Sequence, residues 1–365
     1  MRAARLARGW SCTKHRRGEG VHCKSMDSQD KIPLEGSFAF HGAENNGPCT
    51  AQFYAFNTVI TLQGFAPDDV AHCAFEAARD RCRSFERAFS RTLPHSDISR
   101  LNNAQGAWVD VGQDTYNLLQ ASLRYCEESE GIFDITMGSA VRLWDFHAGR
   151  IPDGDMLREA LRHVNWRVVE LRCERNGDVG CTRYLARLSD PDAFVDVGGT
   201  AKGYIADALG ALLANYGMDS FIVNLGGNVL THGRKPDGSA WNVGIQDPRV
   251  PRDGKPQSVL STIALTNASA VTSGVYERSF ERNGVTYHHI LDPKTGYPVQ
   301  TDLAGATVVA QASLDAEGYS TTILALGSER AARFVREHSA IIMAALVFPD
   351  GRLQVVTSDS NRATN

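Results

Sequence analysis

The sequence is organised around one stretch in its second half, VDVGGTAKGYIADALGALLANYG, which spans residues 195–217. A short apolar segment leads into a glycine pair at Gly198 and Gly199, and a long apolar run follows as far as Gly217. This order predicts a strand, a tight turn and a helix. The start of such a helix suits a phosphate group, and Lys202 adds a positive charge. The spacing matches neither a Walker A loop nor GxGxxG, so a tight turn with a surface lysine is an open alternative.

A second motif, HHILDPKTG, covers residues 288–296. Asp292 followed by Pro-Lys-Thr-Gly predicts a turn with an Asx-type start. Paired histidines at the end of a predicted strand indicate a polar site, and an ordinary loop is the alternative.

A third motif, AEGYST, covers residues 316–321. On a helix, Glu317, Ser320 and Thr321 occupy positions i, i+3 and i+4, so they share one face. Three oxygen ligands on one face suit a hard cation such as Mg²⁺. An ordinary solvated helix face is the alternative.

The elements around these motifs mix hairpins with helices. QFYAFNTVITLQGF (52–65) alternates in polarity and predicts a strand, SFIVNLGGNVL (220–230) predicts a buried strand with a glycine break, and residues 165–195 predict a β-hairpin. Helical spacing of apolar residues predicts helices at 67–90, 114–130, 155–164, 315–327 and 329–338. Strands and helices do not alternate regularly, so the predicted class is α+β rather than a doubly wound sheet.

Composition and charge exclude several classes of protein. The chain has 365 residues, of which 42% are hydrophobic and 22% charged, which excludes wholesale disorder. Residues 1–24 hold seven basic side chains and one acidic one, a charge of +6, so the net charge of −4 leaves −10 for the rest. Nucleic acid is therefore not an expected partner. No run of 18 apolar residues occurs, so no transmembrane segment is expected.

The cysteines indicate neither a zinc site nor a dithiol redox site. The chain has eight, and none form CxxC. Cys173 and Cys181 flank a turn-rich stretch and are placed to face each other across a hairpin. Most of the others are expected to be reduced, small and buried.

Taken together, the motifs resemble those of the ApbE-type FAD:protein FMN transferases. The resemblance covers about residues 50–345 and runs in family order through seven segments: SDISRLN (96–102), FDITMGSAVRLWDF (133–146), DVGGTAKG (196–203), NLGGN (224–228), VTSGVYERSF (271–280), HILDPKTGYPV (289–299) and AEGYSTTILALG (316–327). It implies one domain of mixed, largely antiparallel sheets with packed helices, of a T-fold-like kind. A basic, disordered tail is expected over residues 1–37 and the transferase domain over 38–360.

The resemblance implies a Mg²⁺-dependent transferase. It would transfer the FMN moiety of FAD to a Thr or Ser hydroxyl of a target flavoprotein with a Ser/Thr-Gly-Ala-Thr-like motif, forming a phosphoester and releasing AMP. Two alternatives are an FAD pyrophosphatase that yields FMN and AMP, and a non-catalytic flavin carrier. A monomer or homodimer is expected. Cytoplasmic location is expected because no secretory or lipoprotein signal is seen, with organellar targeting by the basic N-terminus as the alternative.

The same resemblance implies roles for individual residues. His289 and Lys202 are the predicted catalytic residues, with His289 or a metal-site carboxylate taking the proton. FAD contacts are implied for Phe56, Ile132, Phe133, Asp134, Asp196, Lys202 and Leu291. Metal ligands are implied at Gly199, through its backbone carbonyl, and at Glu317, Ser320 and Thr321. The family's usual metal carboxylate is Asp, whereas Glu317 is one methylene longer, so Asp315 is the fallback ligand.

Overall fold

The computed structural model describes residues 37–176, 179–250 and 258–362. Its strands are β1 Phe38–His41, β2 Cys49–Ala55, β3 Thr58–Gly64, β4 Val109–Val111, β5 Val169–Asn176, β6 Val179–Leu188, β7 Phe221–Asn224, β8 Asn228–His232, β9 Trp241–Gln246, β10 Val259–Leu265, β11 Ala268–Gly274, β12 Ser279–Arg282, β13 Val285–His288, β14 Gly305–Ala310, β15 Ile341–Val347 and β16 Leu353–Thr357. Its helices are α1 Asp68–Phe89, α2 Asp97–Asn102, α3 Gln113–Glu128, α4 Gly138–Val141, α5 Gly154–Leu161, α6 Gly198–Asn215, α7 Ser313–Glu337 and α8 Asp359–Arg362.

One large antiparallel sheet forms the centre of the fold. Its nine strands lie in the order β1-β2-β3-β7-β8-β11-β14-β15-β16, and each neighbouring pair is antiparallel. Helix α6 packs against both α1 and α7, and all three helices pack against the sheet, with the main core between helices and sheet. A three-stranded sheet, β4-β6-β5, and the hairpins β9–β10 and β12–β13 lie outside it. The predicted α+β class with largely antiparallel sheets is confirmed.

Two predicted strands are in fact hairpins. The segment 52–65 contains β2 and β3, which pair so that Ala55 faces Thr58 across a two-residue turn. Phe56 and Asn57 both adopt positive φ, 53° and 58°, which matches the right-handed twist of a tight hairpin. Similarly, the segment 220–230 holds β7 and most of β8, and the glycine break is the turn between them, where Gly226 and Gly227 have φ of 68° and 101°.

Helix α7 carries an internal kink where the sequence predicts a boundary between two helices. Gly327 has φ 72°, which a residue with a side chain rarely adopts, and the helix direction changes there. The apolar face before the kink packs on β11 and β14, which fixes the position of the AEGYST segment over the sheet.

Cys173 and Cys181 form a disulfide across the β5–β6 hairpin, which confirms that they face each other. Three other cysteines, Cys49, Cys82 and Cys126, are free and buried. The predicted tail, residues 1–37, lies outside the described residues except for Ser37, and its boundary with the domain stays a prediction. No described helix is long and apolar enough to cross a membrane.

Candidate active site

The first two turns of α6 hold the glycine pair and Lys202, as the sequence predicts. The segment before the helix is an irregular connection, whereas the sequence predicts a strand there. Asp196 lies just before the helix, where its Oδ1 accepts a hydrogen bond from the Gly198 amide at 2.9 Å. Its Oδ2 pairs with Arg91 Nε at 3.0 Å, and its own amide donates to the Ile135 carbonyl at 2.8 Å. These contacts fix the Asp196 carboxylate at the start of the helix.

Gly199 allows an aromatic ring to lie against this first turn. A Cβ at Gly199 would be 2.7 Å from Cε2 of Phe133, closer than side-chain carbons approach. The two residues, which are implied in metal and flavin binding, are therefore in contact across 66 positions of sequence. Replacement of Gly199 would displace the Phe133 ring.

Asp134 holds the loop that carries Ile132 and Phe133. Its Oδ1 accepts hydrogen bonds from the amide and hydroxyl of Thr136, at 2.7 and 2.6 Å, and its Oδ2 accepts one from the Trp166 amide at 3.0 Å. Burial raises the pKa of this carboxyl, and the hydrogen bonds oppose the rise. Because both oxygens already have partners, Thr136 in the same loop and Trp166 outside it, the Asp134 side chain orients the neighbouring residues.

Helices α6 and α7 meet closely at Gly203. A Cβ there would lie 2.7 Å from Leu314 Cα and 2.8 Å from Glu317 Cβ, so only glycine permits this approach. At this contact Lys202 Nζ donates to Glu317 Oε1, while Asn228 Nδ2 donates to Oε2 at 2.6 Å. Glu317 is 4% exposed, and the Lys202 side chain is 30% exposed. The structure thus joins two predicted residues that are 115 positions apart.

The hydroxyls of Ser320 and Thr321 lie near β11, one turn along α7 from Glu317. Ser273 Oγ is 2.8 Å from Ser320 Oγ and 3.5 Å from Thr321 Oγ1. These hydroxyls and the Glu317 carboxylate are hard oxygen donors, which is the ligand type that Mg²⁺ prefers. The Glu317 carboxylate already forms an ion pair with the cationic Lys202. The donor set therefore fits such a cation.

The fallback ligand, Asp315, has a different environment. Its Oδ1 accepts hydrogen bonds from Arg124 and from Tyr125 Oη, the latter at 2.6 Å, and both partners belong to α3. The Asp315 carboxylate therefore faces α3, whereas Glu317 faces Lys202 and β8. This favours Glu317 over Asp315 as the metal carboxylate.

His289 directly follows β13 and lies three residues before the predicted turn at Asp292. The turn forms as expected: Asp292 Oδ1 accepts from the Lys294 amide at 2.8 Å, and the Asp292 carbonyl accepts from the Gly296 amide at 2.7 Å. Leu291 is buried in a small apolar cluster with Trp144.

The His289 ring is neutral at physiological pH. Its pKa is lowered to about 4, first by burial and then by the charge of Arg278, with a smaller effect from Lys202. The Nδ1 atom of His289 is buried and has no hydrogen-bond partner among the described residues. The neutral ring thus has the capacity to accept a proton, as the catalytic prediction requires.

The buried His289 should make the thermal stability of the protein fall on acidification. The unfolded chain binds the proton near pH 6.5, whereas the folded protein binds it only near 4, so stability is lost as pH falls through this window. Between about pH 7.5 and about pH 5, we expect wild-type Tm to fall about 3 °C more than that of His289→Asn. Calorimetry at both pH values measures this, with the exposed His147→Asn as control. Equal falls in wild type and His289→Asn would contradict it.

Phe56 lies at the turn between β2 and β3. Its amide donates to Glu86 Oε1 at 3.2 Å, and its ring is partly buried against the main core. A Cβ on Gly226 would overlap Thr58 Oγ1, so this turn lies against the β7–β8 turn. Phe56 is therefore near the end of the sheet at which Asn228 begins β8. No described contact joins Phe56 to Lys202 or Glu317.

A cavity of about 540 Å³ lies on the other face of the large sheet. Thr58, Gly227, Val229 and Thr272 are among its lining residues, and none of the predicted site residues lines it. Because successive strand residues face opposite sides, Thr272 faces this cavity while Ser273 faces α7. The cavity is therefore separate from the Lys202–Glu317 contact.

The sequence motifs predict no function for several residues that the structure places in the site. Asn228 and Ser273 lie in segments noted only for their resemblance, and they contact Glu317 and Ser320 respectively. Arg91 and Arg278 act electrostatically on Asp196 and His289. For Asn228 the available signal is a polar residue directly before the apolar pair Val229 and Leu230. No sequence signal distinguishes the two arginines from surface residues.

Comparisons with known proteins are consistent with this arrangement. The model of the ApbE family matches residues 56–346. An FAD:protein FMN transferase of Treponema pallidum is 36% identical over 299 residues, covering 79% of this chain and 80% of the relative. One from Klebsiella pneumoniae is 30% identical, covering 71% and 77%.

Solved structures show the same fold. The crystal structure of an ApbE protein from Thermotoga maritima is similar with a TM-score of 0.74 at 26% identity, covering 87% of this chain and 98% of that one. The flavin transferase ApbE from Vibrio cholerae has a TM-score of 0.71 at 22% identity, covering 87% and 98%, and this likeness concerns the fold alone.

Proposed function

The chain belongs to the ApbE family, and from this membership we infer that it is an enzyme that transfers the FMN part of FAD to a target protein. The relatives named FAD:protein FMN transferase support this activity, because the chain spans 80% and 77% of the lengths of two of them. FAD is accordingly a substrate, and the target is a flavoprotein.

The transfer depends on Mg²⁺ in this proposal, and Glu317, Ser320, Thr321 and the Gly199 carbonyl would hold the ion. The observation that carries it is the buried Glu317 carboxylate, which meets the cationic Lys202 at the contact of α6 with α7. When bound, Mg²⁺ neutralises charge on the pyrophosphate of FAD.

The protein's own groups bind and orient FAD. The start of α6 and Lys202 attract the negatively charged phosphates, and Asp196, held by Arg91, contributes a further polar contact. The flavin contacts are Phe56, Ile132, Phe133 and Leu291, of which Phe133 and Leu291 are almost fully buried. Asp134 fixes the loop on which two of these residues lie.

The chemical step is an in-line displacement at the FMN-side phosphorus. A Thr or Ser hydroxyl of a Ser/Thr-Gly-Ala-Thr-like acceptor forms the new oxygen–phosphorus bond, the bond to the bridging oxygen breaks, and AMP leaves. The hydroxyl proton passes to His289 or to the Glu317 carboxylate, and Lys202 stabilises the charge on the departing AMP. Because burial and Arg278 lower the pKa of His289 to about 4, its ring is neutral and has a nitrogen that can accept the proton.

Mass spectrometry tests this function directly. Enzyme, FAD and Mg²⁺ are mixed with a protein domain that carries the acceptor motif, and the acceptor mass is expected to rise by FMN less one water as AMP accumulates. An acceptor with the hydroxyl residue replaced by alanine is the control and should not change.

Each alternative function has its own outcome in this experiment. AMP release without a modified acceptor would replace the proposal with an FAD pyrophosphatase. FAD binding with neither product, and unaffected by Mg²⁺, would replace it with a flavin carrier. A monomeric or homodimeric state and a cytoplasmic location stay predictions.

A further inference from the structure

The carboxylate of Glu317 has two different partners. Asn228, fully buried at the start of β8, donates from Nδ2 to Oε2 at 2.6 Å. Lys202, on α6, donates to Oε1 and is 30% exposed. One oxygen is therefore held by a neutral group inside the protein, and the other by a cation that has access to solvent.

A chain of buried hydroxyls supports the other end of the Asn228 amide. Ser313 Oγ donates to Asn228 Oδ1 at 2.8 Å, and Ser269 Oγ lies 2.9 Å from Ser313 Oγ and 2.8 Å from the Val229 carbonyl. Ser269, Ser313 and Asn228 are all 0% exposed. Turning the amide over would place Oδ1 against the Glu317 carboxylate, which has no proton to donate, so only the orientation with Nδ2 towards Glu317 satisfies both groups.

These contacts keep the carboxylate in place when its cationic partner leaves. A buried carboxylate without a hydrogen bond is costly, and Asn228 provides a bond that does not depend on Lys202. Lys202 has the freedom to move towards the phosphates of a substrate because its side chain is partly exposed on the first turns of α6. Oε1 is then the oxygen that a metal ion meets.

We propose that Asn228 is a positioning residue of the metal site: it holds Oε2 of Glu317 through the Ser313–Ser269 hydroxyls, so that Oε1 exchanges Lys202 for a divalent cation. This rests on the metal site of the proposed function. Partners that orient a metal ligand typically contribute a factor of about 10–100 to metal affinity.

The test measures metal binding rather than turnover. Mn²⁺ is titrated into the FAD-free protein and followed by electron paramagnetic resonance. Asn228→Ala is expected to weaken Mn²⁺ binding about 10–100-fold. Ser313→Ala, which removes the donor to Asn228 and the contact with Ser269, is expected to weaken it about threefold. The matched control is Thr231→Val, which removes a buried 2.8 Å hydrogen bond to the Ala268 carbonyl from the opposite face of the same strand. It should leave Mn²⁺ binding unchanged.

Three results would overturn the inference. The first is that folded Asn228→Ala and folded Ser313→Ala both bind Mn²⁺ as tightly as wild type. The second is that Thr231→Val weakens Mn²⁺ binding as much as Asn228→Ala does. The third is that wild type does not bind Mn²⁺. If Asn228→Ala fails to fold, as thermal unfolding would show, Ser313→Ala alone decides. Failure of FMN transfer by a wild-type protein that binds Mn²⁺ would refute the proposed function and leave this inference standing.

Discussion

Replacing Glu317 with glutamine is expected to lower the rate of FMN transfer by about a thousandfold, because several kcal/mol of charge stabilisation would be lost with the metal. Lys202 and Asn228 both donate to this side chain, and a glutamine offers one acceptor oxygen where the carboxylate offers two. The variant would therefore lose the negative charge that binds the metal and one hydrogen bond. Initial rates of acceptor labelling, measured over a range of Mg²⁺ concentrations, give the effect.

Two variants on the same helix sharpen this result. Glu337→Gln, at the exposed end of α7, removes an equal charge and should retain wild-type activity. Asp315→Asn should retain activity within about fivefold, because its carboxylate is bonded to Arg124 and Tyr125, and the lost ion pair is partly exposed. A severe loss in Asp315→Asn with an active Glu317→Gln would show that the metal carboxylate is the fallback residue.

Gly203→Ala is expected to destabilise the protein by about 1–3 kcal/mol. The added methyl group would meet backbone atoms of α7, namely Leu314 Cα and the Ser313 carbonyl oxygen, each at 2.7 Å. Backbone cannot rotate away as a side chain can, so α6 and α7 must separate. Lys202 would then move away from Glu317, and transfer activity should fall together with stability. Denaturant unfolding and labelling rates measure the two effects.

Gly210→Ala on the same helix provides the matched control. A methyl group there would lie 3.2 Å from Leu230 Cδ2, the end of a flexible side chain, and alanine favours helix over glycine by about 1 kcal/mol. We expect this variant to be as stable as wild type or more so, with full activity. Equal stability of Gly203→Ala and wild type would contradict the close contact of α6 with α7.

The sequence predicts elements well where a periodic pattern meets a clear terminus. Helix α1 begins after Pro67 and ends at Phe89, as its apolar spacing indicates, and the break in α7 falls at Gly327. The pattern fails at Phe56 and Asn57, because polarity continues to alternate through a turn that depends only on positive φ. Strand β11 has no signal of its own: ASAVTSG is built of small residues, and its neighbours β8 and β14 determine its place.

The site is predictable in its residue types but not in its contacts. Glycine before a helix and oxygen ligands on one helix face indicate phosphate and metal chemistry from the sequence. That Lys202 meets Glu317 depends on the packing of two helices at Gly203, which no spacing within either motif reveals. Asn228 depends on a third element, β8, whose register against β11 places its amide beneath α7.

The redox state of the crosslinked hairpin reports on the compartment in which the protein was kept. Cys173 and Cys181 are joined across β5 and β6, outside the motifs that carry the chemistry. Such a bond persists in an oxidising compartment and is rare in a reducing one. The ratio of bonded to free thiols at this hairpin would therefore record the compartment from which the protein was isolated, independently of whether any flavin had been transferred.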